Sequence, residues 1–234
     1  MTIHHREAFL DNIAHKLRRP RRTEGVVKPE WSLQPQKKVL ADASTEELIN
    51  VLEEQCKVIH TDFKRTTKEG LAAVLQETIA NYQGKSIILA NDPRHEAYDL
   101  HSFYDALEMN GTKVHIWDEA IGKKNQVIAE RANVGINFSD ITLAESGTVG
   151  LYNDKNNGRS ISLLPQTFIA IIPKESIVPR LTQATKQVHE GLKTGKDVPS
   201  CLSLVTGPSN SADIEMKLIV GVHGPIKATY IVVD

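Results

Sequence analysis

The chain has 234 residues, of which 40% are apolar and 24% are charged, with 14 glycines and 10 prolines. This composition is typical of a globular protein, and the length suits one large α/β domain, or one domain with an appendage. The formal net charge of −1 at neutral pH predicts no nucleic acid or anionic membrane surface as a partner, because no overall field attracts polyanions.

Signals for membranes and metals are sparse. No apolar run approaches the ~18 residues that a membrane-spanning helix needs, and the first residues lack the apolar stretch of a signal peptide, so we expect no membrane span and a cytoplasmic location. Cys56 and Cys201 stand far apart without a Cys-x-x-Cys pattern, which excludes a cysteine-ligated zinc site or an iron–sulfur cluster held by this chain alone. His95, Glu96 and His101 lack the spacing of a familiar metal motif, so we predict no metal site.

We predict that residues 1–40 form a helix and a proline-rich basic linker ahead of an α/β domain at 41–234. Residues 1–38 hold nine Lys or Arg and four Asp or Glu. Five apolar residues before Pro20 recur at helical spacing: Ile3, Phe9, Leu10, Ile13 and Leu17. A short helix cannot bury this stripe alone, so we expect it to dock on its own body, on a second copy in a homo-oligomer, or on a different subunit. The alternative is a solvated basic linker.

From Ser44 onward the patterns alternate between helix and strand. Ser44 and Glu47 form a capping box that predicts a helix over 45–56. Apolar patterns then predict strands at 58–63, 86–90, 113–117, 134–138, 168–172 and 201–205, and helices at 68–82, 103–109, 123–132 and 175–190. Short apolar strands separated by helices predict an α/β fold whose mostly parallel sheet is flanked by helices.

Ligands of such sheets bind beyond the carboxyl ends of the strands, so polar loops after strands are candidate sites. The first lies at 141–148, where Glu145 interrupts an apolar segment. A carboxylate there must be paired or have a raised pKa, which a general acid or base requires. The alternative is that Glu145 caps backbone amides in a tight turn where Gly147 has a positive φ. Ser146 is a weaker candidate nucleophile, since no G-x-S-x-G motif surrounds it.

The second loop, at 206–213, follows the predicted strand 201–205. Its small polar residues could open a short helix, whose free N-terminal amides would bind a carboxylate or phosphate together with Ser209, Asn210 and Ser211. The alternative is a capped turn. The segment is not a P-loop, and the chain has no G-x-G-x-x-G motif, so no cofactor is predicted from a recognisable motif, although a flavin or quinone is left open.

The third loop, at 221–225, places His223 between two glycines. Its imidazole could reach a ligand or donate to Asp213 or Glu215, and the alternative is a structural histidine. Arg159 follows a glycine-containing turn and could clamp a carboxylate with two hydrogen bonds, unless it is an ordinary surface arginine.

Taken together, four motifs resemble the lactate-utilisation (LUD) domain family: Ala-Glu-Ser-Gly-Thr at 144–148, Arg159 with Leu-Leu-Pro at 163–165, Thr-Gly-Pro-Ser-Asn-Ser-Ala-Asp-Ile-Glu at 206–215, and Gly-Val-His-Gly-Pro at 221–225. The resemblance extends from about residue 45 to the end, and it departs at Ser146, where many relatives have Thr. It implies cytoplasmic oxidation of L-lactate to pyruvate with two iron–sulfur partner proteins, in which this chain carries no cluster. It also implies a fold similar to the sugar-phosphate isomerase and coenzyme A transferase (NagB/RpiA-like) group, in which a glutamate near a glycine turn attacks an acyl group.

The leading hypothesis is a subunit of a multicomponent L-lactate oxidation system that binds a small carboxylate. Glu145 and His223 would handle protons. The residues expected to hold the anion are Ser146, Gly147, Thr148, Arg159, Thr206, Gly207, Ser209, Asn210, Ser211 and Asp213, with Glu215, Gly221 and Gly224 in support. Two alternatives are a non-catalytic subunit that docks the iron–sulfur partners through its N-terminal arm, and a free-standing acyl or phosphosugar enzyme.

Overall fold

The computed structural model describes residues 4–27, 29–195, 199, 201–214 and 217–234, with only the backbone at 212–214. Residues up to Pro35 and residues from Gln36 onward form two compact units. In the first unit, α1 covers Arg6–Lys16 and ends before Pro20, as the sequence predicts. Phe9 and Leu17 of its apolar stripe are 64% and 56% exposed. Ile3 lies outside the described residues.

The second unit contains the remaining helices and strands. The helices are α2 Thr45–Val58, α3 Leu71–Asn81, α4 Arg94–Ala97, α5 His101–Met109, α6 Lys124–Arg131, α7 Ser160–Leu163 and α8 Leu181–Lys193. The strands are β1 Thr61–Thr66, β2 Ser86–Leu89, β3 Lys113–Ile116, β4 Val134–Phe138, β5 Ile141–Leu143, β6 Thr148–Asn153, β7 Thr167–Pro173, β8 Ile177–Val178, β9 Cys201–Thr206, β10 Asn210–Ile214, β11 Lys217–Val220 and β12 Lys227–Val233. Within the described ranges, no helix is long and apolar enough to cross a bilayer.

The main sheet has six parallel strands in the order β1-β12-β7-β4-β2-β3, so the predicted α/β class is confirmed. Its central strand β7 is buried along its whole length because apolar clusters cover both of its faces. Ile169 and Ile171 pack against α3, while Phe168 and Ala170 face α2. Alternate residues of a strand point to opposite faces, which explains this division.

A second sheet of four strands, in the order β8-β5-β6-β9, corrects two predictions. The segment 141–148 is not a loop, since β5 and β6 form an antiparallel hairpin through it. The helix predicted at 175–190 begins only at Leu181. Val178 forms part of β8 instead, because Pro179 disfavours the helical conformation in the residue before it.

The first strand also begins later than the sequence predicts. Val58, which the sequence places in the strand, is the last residue of α2. His60 then has a φ of 55°, in the left-handed region, and the chain turns there before β1 begins at Thr61. β1 lies at the edge of the sheet, where it pairs with β12. Edge strands commonly carry charged side chains, and β1 carries Asp62, Lys64 and Arg65. A search for apolar residues therefore does not detect the whole of this strand.

Candidate functional site

The hairpin turn between β5 and β6 places Glu145. Gly147 has a φ of +63°, and a Cβ atom there would lie 2.6 Å from Ile59 Cδ1, so both conformation and space favour glycine. The Glu145 amide donates to the carbonyl of Pro179 at 3.2 Å, which fixes the turn beside the start of α8. There Arg180 Nε donates to Glu145 Oε2 at 2.5 Å. The sequence required a partner or a raised pKa for this carboxylate, and the structure provides a partner.

A row of three hydroxyl groups continues from the turn. Ser146 Oγ lies 2.7 Å from Thr148 Oγ1, which lies 2.8 Å from Thr206 Oγ1. The row crosses from β6 to β9 because these antiparallel strands pair Thr148 with Thr206. The hydroxyl hydrogens can rotate, so the row can donate to or accept from a ligand.

These groups line a pocket of about 390 Å³, which we call the Glu145 pocket. Side chains on its polar wall are Glu145, Ser146, Thr148, Arg180 and Thr206, and those on its apolar wall are Leu143, Leu181 and Leu204, with Gln36 and Thr182 completing it. The Glu145 and Arg180 side chains are 40% and 25% exposed. A pocket with one guanidinium and several hydroxyls beside it has the donors that bind a carboxylate.

A neighbouring pocket of about 270 Å³, the His223 pocket, contains the other two predicted loops. Its lining consists of Ser162, Leu163, Leu204, Val205, Thr206, Gly207, Pro208, Ser209, Asn210, His223, Gly224 and Pro225. Ser209 organises it: its amide donates to the carbonyl of Pro225, its carbonyl accepts from Gly221, and its Oγ accepts from the amide of His223. His223 itself is exposed.

The loop that begins at Thr206 does not open a helix. Asn210 instead begins β10, which pairs antiparallel with β11. The predicted helix N-terminus is therefore wrong, because Asn210 and Ser211 pair with the returning strand β11. Ser211 lies on β10, whereas Glu215 and the side chain of Asp213 lie outside the described residues.

The two predicted proton-transfer groups lie in different pockets. Glu145 lines one and His223 the other, and both pockets include Leu204 and Thr206. The structure thus brings Glu145 together with Ser146, Thr148 and Thr206, and brings His223 together with Gly207, Ser209, Asn210 and Gly224. A Cβ at Gly224 would lie 3.1 Å from the carbonyl of Leu163, which accounts for the glycine there.

Tyr230 connects the turn that contains Gly147 with the loop that contains Gly207. This tyrosine of β12 is fully buried, and its hydroxyl accepts a hydrogen bond from the Gly207 amide at 2.9 Å. The same hydroxyl lies 3.1 Å from the carbonyls of Gly147 and Val205, to one of which it donates. Burial raises the pKa of the Tyr230 phenol well above its usual value, so it stays protonated and able to donate.

The structure does not bring Arg159 into this group. Arg159 is exposed at the start of α7, and it lines neither of the two pockets. Arg180, which the sequence analysis missed, is the arginine at Glu145. The Pro179–Arg180 pair before an amphipathic helix is a signal for a helix start, but it does not indicate a partner 35 residues away.

A second charged cluster that the sequence analysis missed lies at the ends of β2 and β4. Arg94 Nη2 bonds Asp92 Oδ2 at 2.6 Å and Asp140 Oδ1 at 2.8 Å. Asp140 Oδ2 also accepts from the Tyr152 amide at 2.7 Å, which ties β4 to the hairpin that carries Glu145. Burial raises the pKa of Asp140, although the charge of Arg94 opposes that rise. We assign this cluster to the framework of the site.

Metal ligands are not grouped in the part of the chain that the structure describes. Among those residues, no set of three or more His, Cys, Asp and Glu side chains is placed to hold a metal ion. Cys56 is buried, and burial raises the pKa of its thiol to about 12, so it is not poised as a thiolate.

The family model described as the LUD domain matches residues 49–233. The chain is 61% identical to lactate utilization protein C of Oceanobacillus iheyensis, over 100% of both chains. It is 54% identical to lactate utilization protein C of Geobacillus kaustophilus, over 99% of this chain and 97% of that protein. For the protein of that name in Bacillus subtilis, the identity is 52% over 100% of this chain and 98% of the other.

A solved structure shares the fold. It is the crystal structure of a DUF162 family protein from Deinococcus radiodurans, with a TM-score of 0.55 over 82% of this chain and 99% of that chain. The sequence identity is 19%, so this likeness concerns the fold alone.

Proposed function

This chain belongs to the LUD domain family, and from that premise we propose that it takes part in lactate utilisation as the carboxylate-binding subunit of a system that oxidises L-lactate to pyruvate. Two iron–sulfur proteins would be its partners and would supply the electron acceptor. The system would operate in the cytoplasm.

The observation that carries the proposal is the Glu145–Arg180 pair beside the hydroxyl row. The positive charge of Arg180 attracts the lactate carboxylate, and the hydroxyls of Thr148 and Thr206 offer further hydrogen bonds. This arrangement replaces Arg159 of the sequence-based hypothesis, because Arg180 and not Arg159 lines the pocket of Glu145.

Oxidation of lactate breaks the O–H bond and the C2–H bond and forms the carbonyl of pyruvate, so two electrons and two protons leave. The Glu145 carboxylate, which Arg180 contacts, is the group that would accept the hydroxyl proton, and this is general-base catalysis. The two electrons would pass to the acceptor of the partner proteins, and the C2 hydrogen would leave as the second proton. The proposal gives His223 no part in this step, since it lines the neighbouring pocket.

Reconstitution tests the proposal. The full chain is combined with the two iron–sulfur proteins, and L-lactate-dependent reduction of a dye is measured for the wild type, Glu145→Gln and Glu175→Gln. Glu175 is an exposed glutamate outside the pocket, so its variant controls for the loss of one charge. We expect Glu145→Gln to lower kcat by about 100-fold or more, the scale of a missing general base, and the control to stay near wild type. Equal rates for the wild type and Glu145→Gln would contradict the catalytic role.

The exposed stripe on α1 favours a second function, docking of a partner subunit or a second copy. Phe9 and Leu17 are more than half exposed, and apolar side chains at helical spacing are typical of a docking face. If docking is the main role, the double variant Phe9→Ser and Leu17→Ser raises the partner concentration needed for half-maximal turnover, while turnover at saturating partner is unchanged. An unchanged requirement for partner would contradict docking through the arm.

A further inference from the structure

The Glu145 pocket is larger and more apolar than lactate requires. Its volume of about 390 Å³ falls in the range of about 300–1,000 Å³ that is typical of sites for drug-sized ligands, whereas lactate is a three-carbon acid. Three leucines line it beside the polar groups, and two of them, Leu181 and Leu204, are each 47% exposed. These side chains have apolar surface that lactate is too small to cover.

The strand register places the apolar wall next to the polar wall. Thr206 pairs with Thr148, and Leu204, two residues earlier on β9, pairs with Gly150. Residues two apart on a strand share a face and lie about 7 Å apart, so Leu204 follows Thr206 along the same face. An extended carbon chain is zigzag and advances about 1.25 Å per bond, so a chain of about six or seven carbons spans this distance.

We propose that the Glu145 pocket binds 2-hydroxy acids and 2-oxo acids with aliphatic chains of about five to eight carbons more tightly than lactate and pyruvate. The carboxylate would lie at Arg180 and the hydroxyl row, and the chain would cover Leu181 and Leu204. The inference rests on the proposed function, because it keeps the carboxylate in the position given there. It adds the class of acid that the pocket selects.

A titration series tests the proposal with the purified full chain and no partner proteins. The probes are pyruvate, 2-oxobutanoate, 2-oxohexanoate and 2-oxooctanoate, and the dissociation constants are measured by calorimetry. Burial of one methylene group raises affinity by about fourfold, so we expect 2-oxohexanoate to bind at least about tenfold more tightly than pyruvate. Equal affinity along the series would overturn the proposal.

A pair of variants on α8 shows whether the leucine wall is responsible. Leu181 opens α8 and lines the pocket, whereas Leu192, 57% exposed near the end of the same helix, does not line it. Leu181→Ser should lower the affinity for 2-oxohexanoate by about fivefold or more and the affinity for pyruvate by a smaller factor, while Leu192→Ser should change neither. A loss of the same size in both variants would overturn the assignment to this wall.

The outcomes separate this inference from the proposed function. Binding of pyruvate with no gain from a longer chain overturns the inference and leaves the carboxylate site standing, and Leu181 and Leu204 would then be free to cover a partner protein. If no acid of the series binds, the carboxylate site itself fails, and the inference fails with it.

Discussion

Removing the Tyr230 hydroxyl should destabilise both the turn at Gly147 and the loop at Gly207. Tyr230→Phe keeps the buried ring but leaves the Gly207 amide without its acceptor and one of two carbonyls, Gly147 or Val205, without its donor. A buried polar group that loses its partner costs about 1–3 kcal/mol. With two such groups, we expect the free energy of unfolding to fall by about 2–4 kcal/mol in urea titrations, and amide exchange at Gly207 to become faster.

Tyr82→Phe is the matched control. The Tyr82 hydroxyl is only partly buried and meets a single rotatable partner, the Thr229 hydroxyl. Its removal should cost less than the removal of the Tyr230 hydroxyl, because it leaves one polar group without its partner and not two. If Tyr230→Phe costs no more than this control, or if Gly207 exchange is unchanged, the Tyr230 hydroxyl does not hold the loops.

Two further predictions concern acid stability and the Gly207 turn. Burial lowers the pKa of His95 to about 4, so the unfolded state, with a pKa near 6.5, binds the proton first, and stability should fall by about 3 kcal/mol between pH 6.5 and pH 4. His95→Phe should remove that part of the pH dependence in urea titrations, and an unchanged slope would contradict the assignment. Gly207→Ala should lower the melting temperature more than Gly195→Ala. Both glycines have positive φ, but only at Gly207 would the added Cβ lie 2.6 Å from a backbone oxygen, that of Ile59. An equal fall in melting temperature for the two variants would contradict the argument that the contact with the Ile59 oxygen destabilises Gly207→Ala.

The main sheet could be predicted because its strands are buried on both faces. Val134–Phe138 is a short, mostly apolar segment between polar residues, and β4 covers the same five residues in the structure. The start of α2 was equally readable, since the Ser44 amide donates to Glu47 Oε2 at 2.7 Å and the Glu47 amide donates back to Ser44 Oγ at 3.3 Å. Local chemistry defines both features.

The second sheet could not be predicted because its pairing is not local. The turn at Glu145–Gly147 has the composition of a functional loop, yet the chain on either side of it pairs as a hairpin whose second strand, β6, also pairs with β9, about 50 residues later. The same reason hid Arg180, because its partner Glu145 lies 35 residues earlier, in the turn between β5 and β6. Composition indicated which segments carry polar groups, but only the strand register shows which of these groups share a pocket.

The account predicts one arginine as the carboxylate partner, and titration of L-lactate into the purified full chain tests this directly. Affinity is measured by calorimetry for the wild type, Arg180→Gln and Arg159→Gln, after circular dichroism has shown that all three fold. A hydrogen bond to a charged group contributes about 1.5–3 kcal/mol, so Arg180→Gln should weaken binding by about tenfold or more, while Arg159→Gln binds as the wild type does. Loss of binding in Arg159→Gln with full binding in Arg180→Gln would contradict the account.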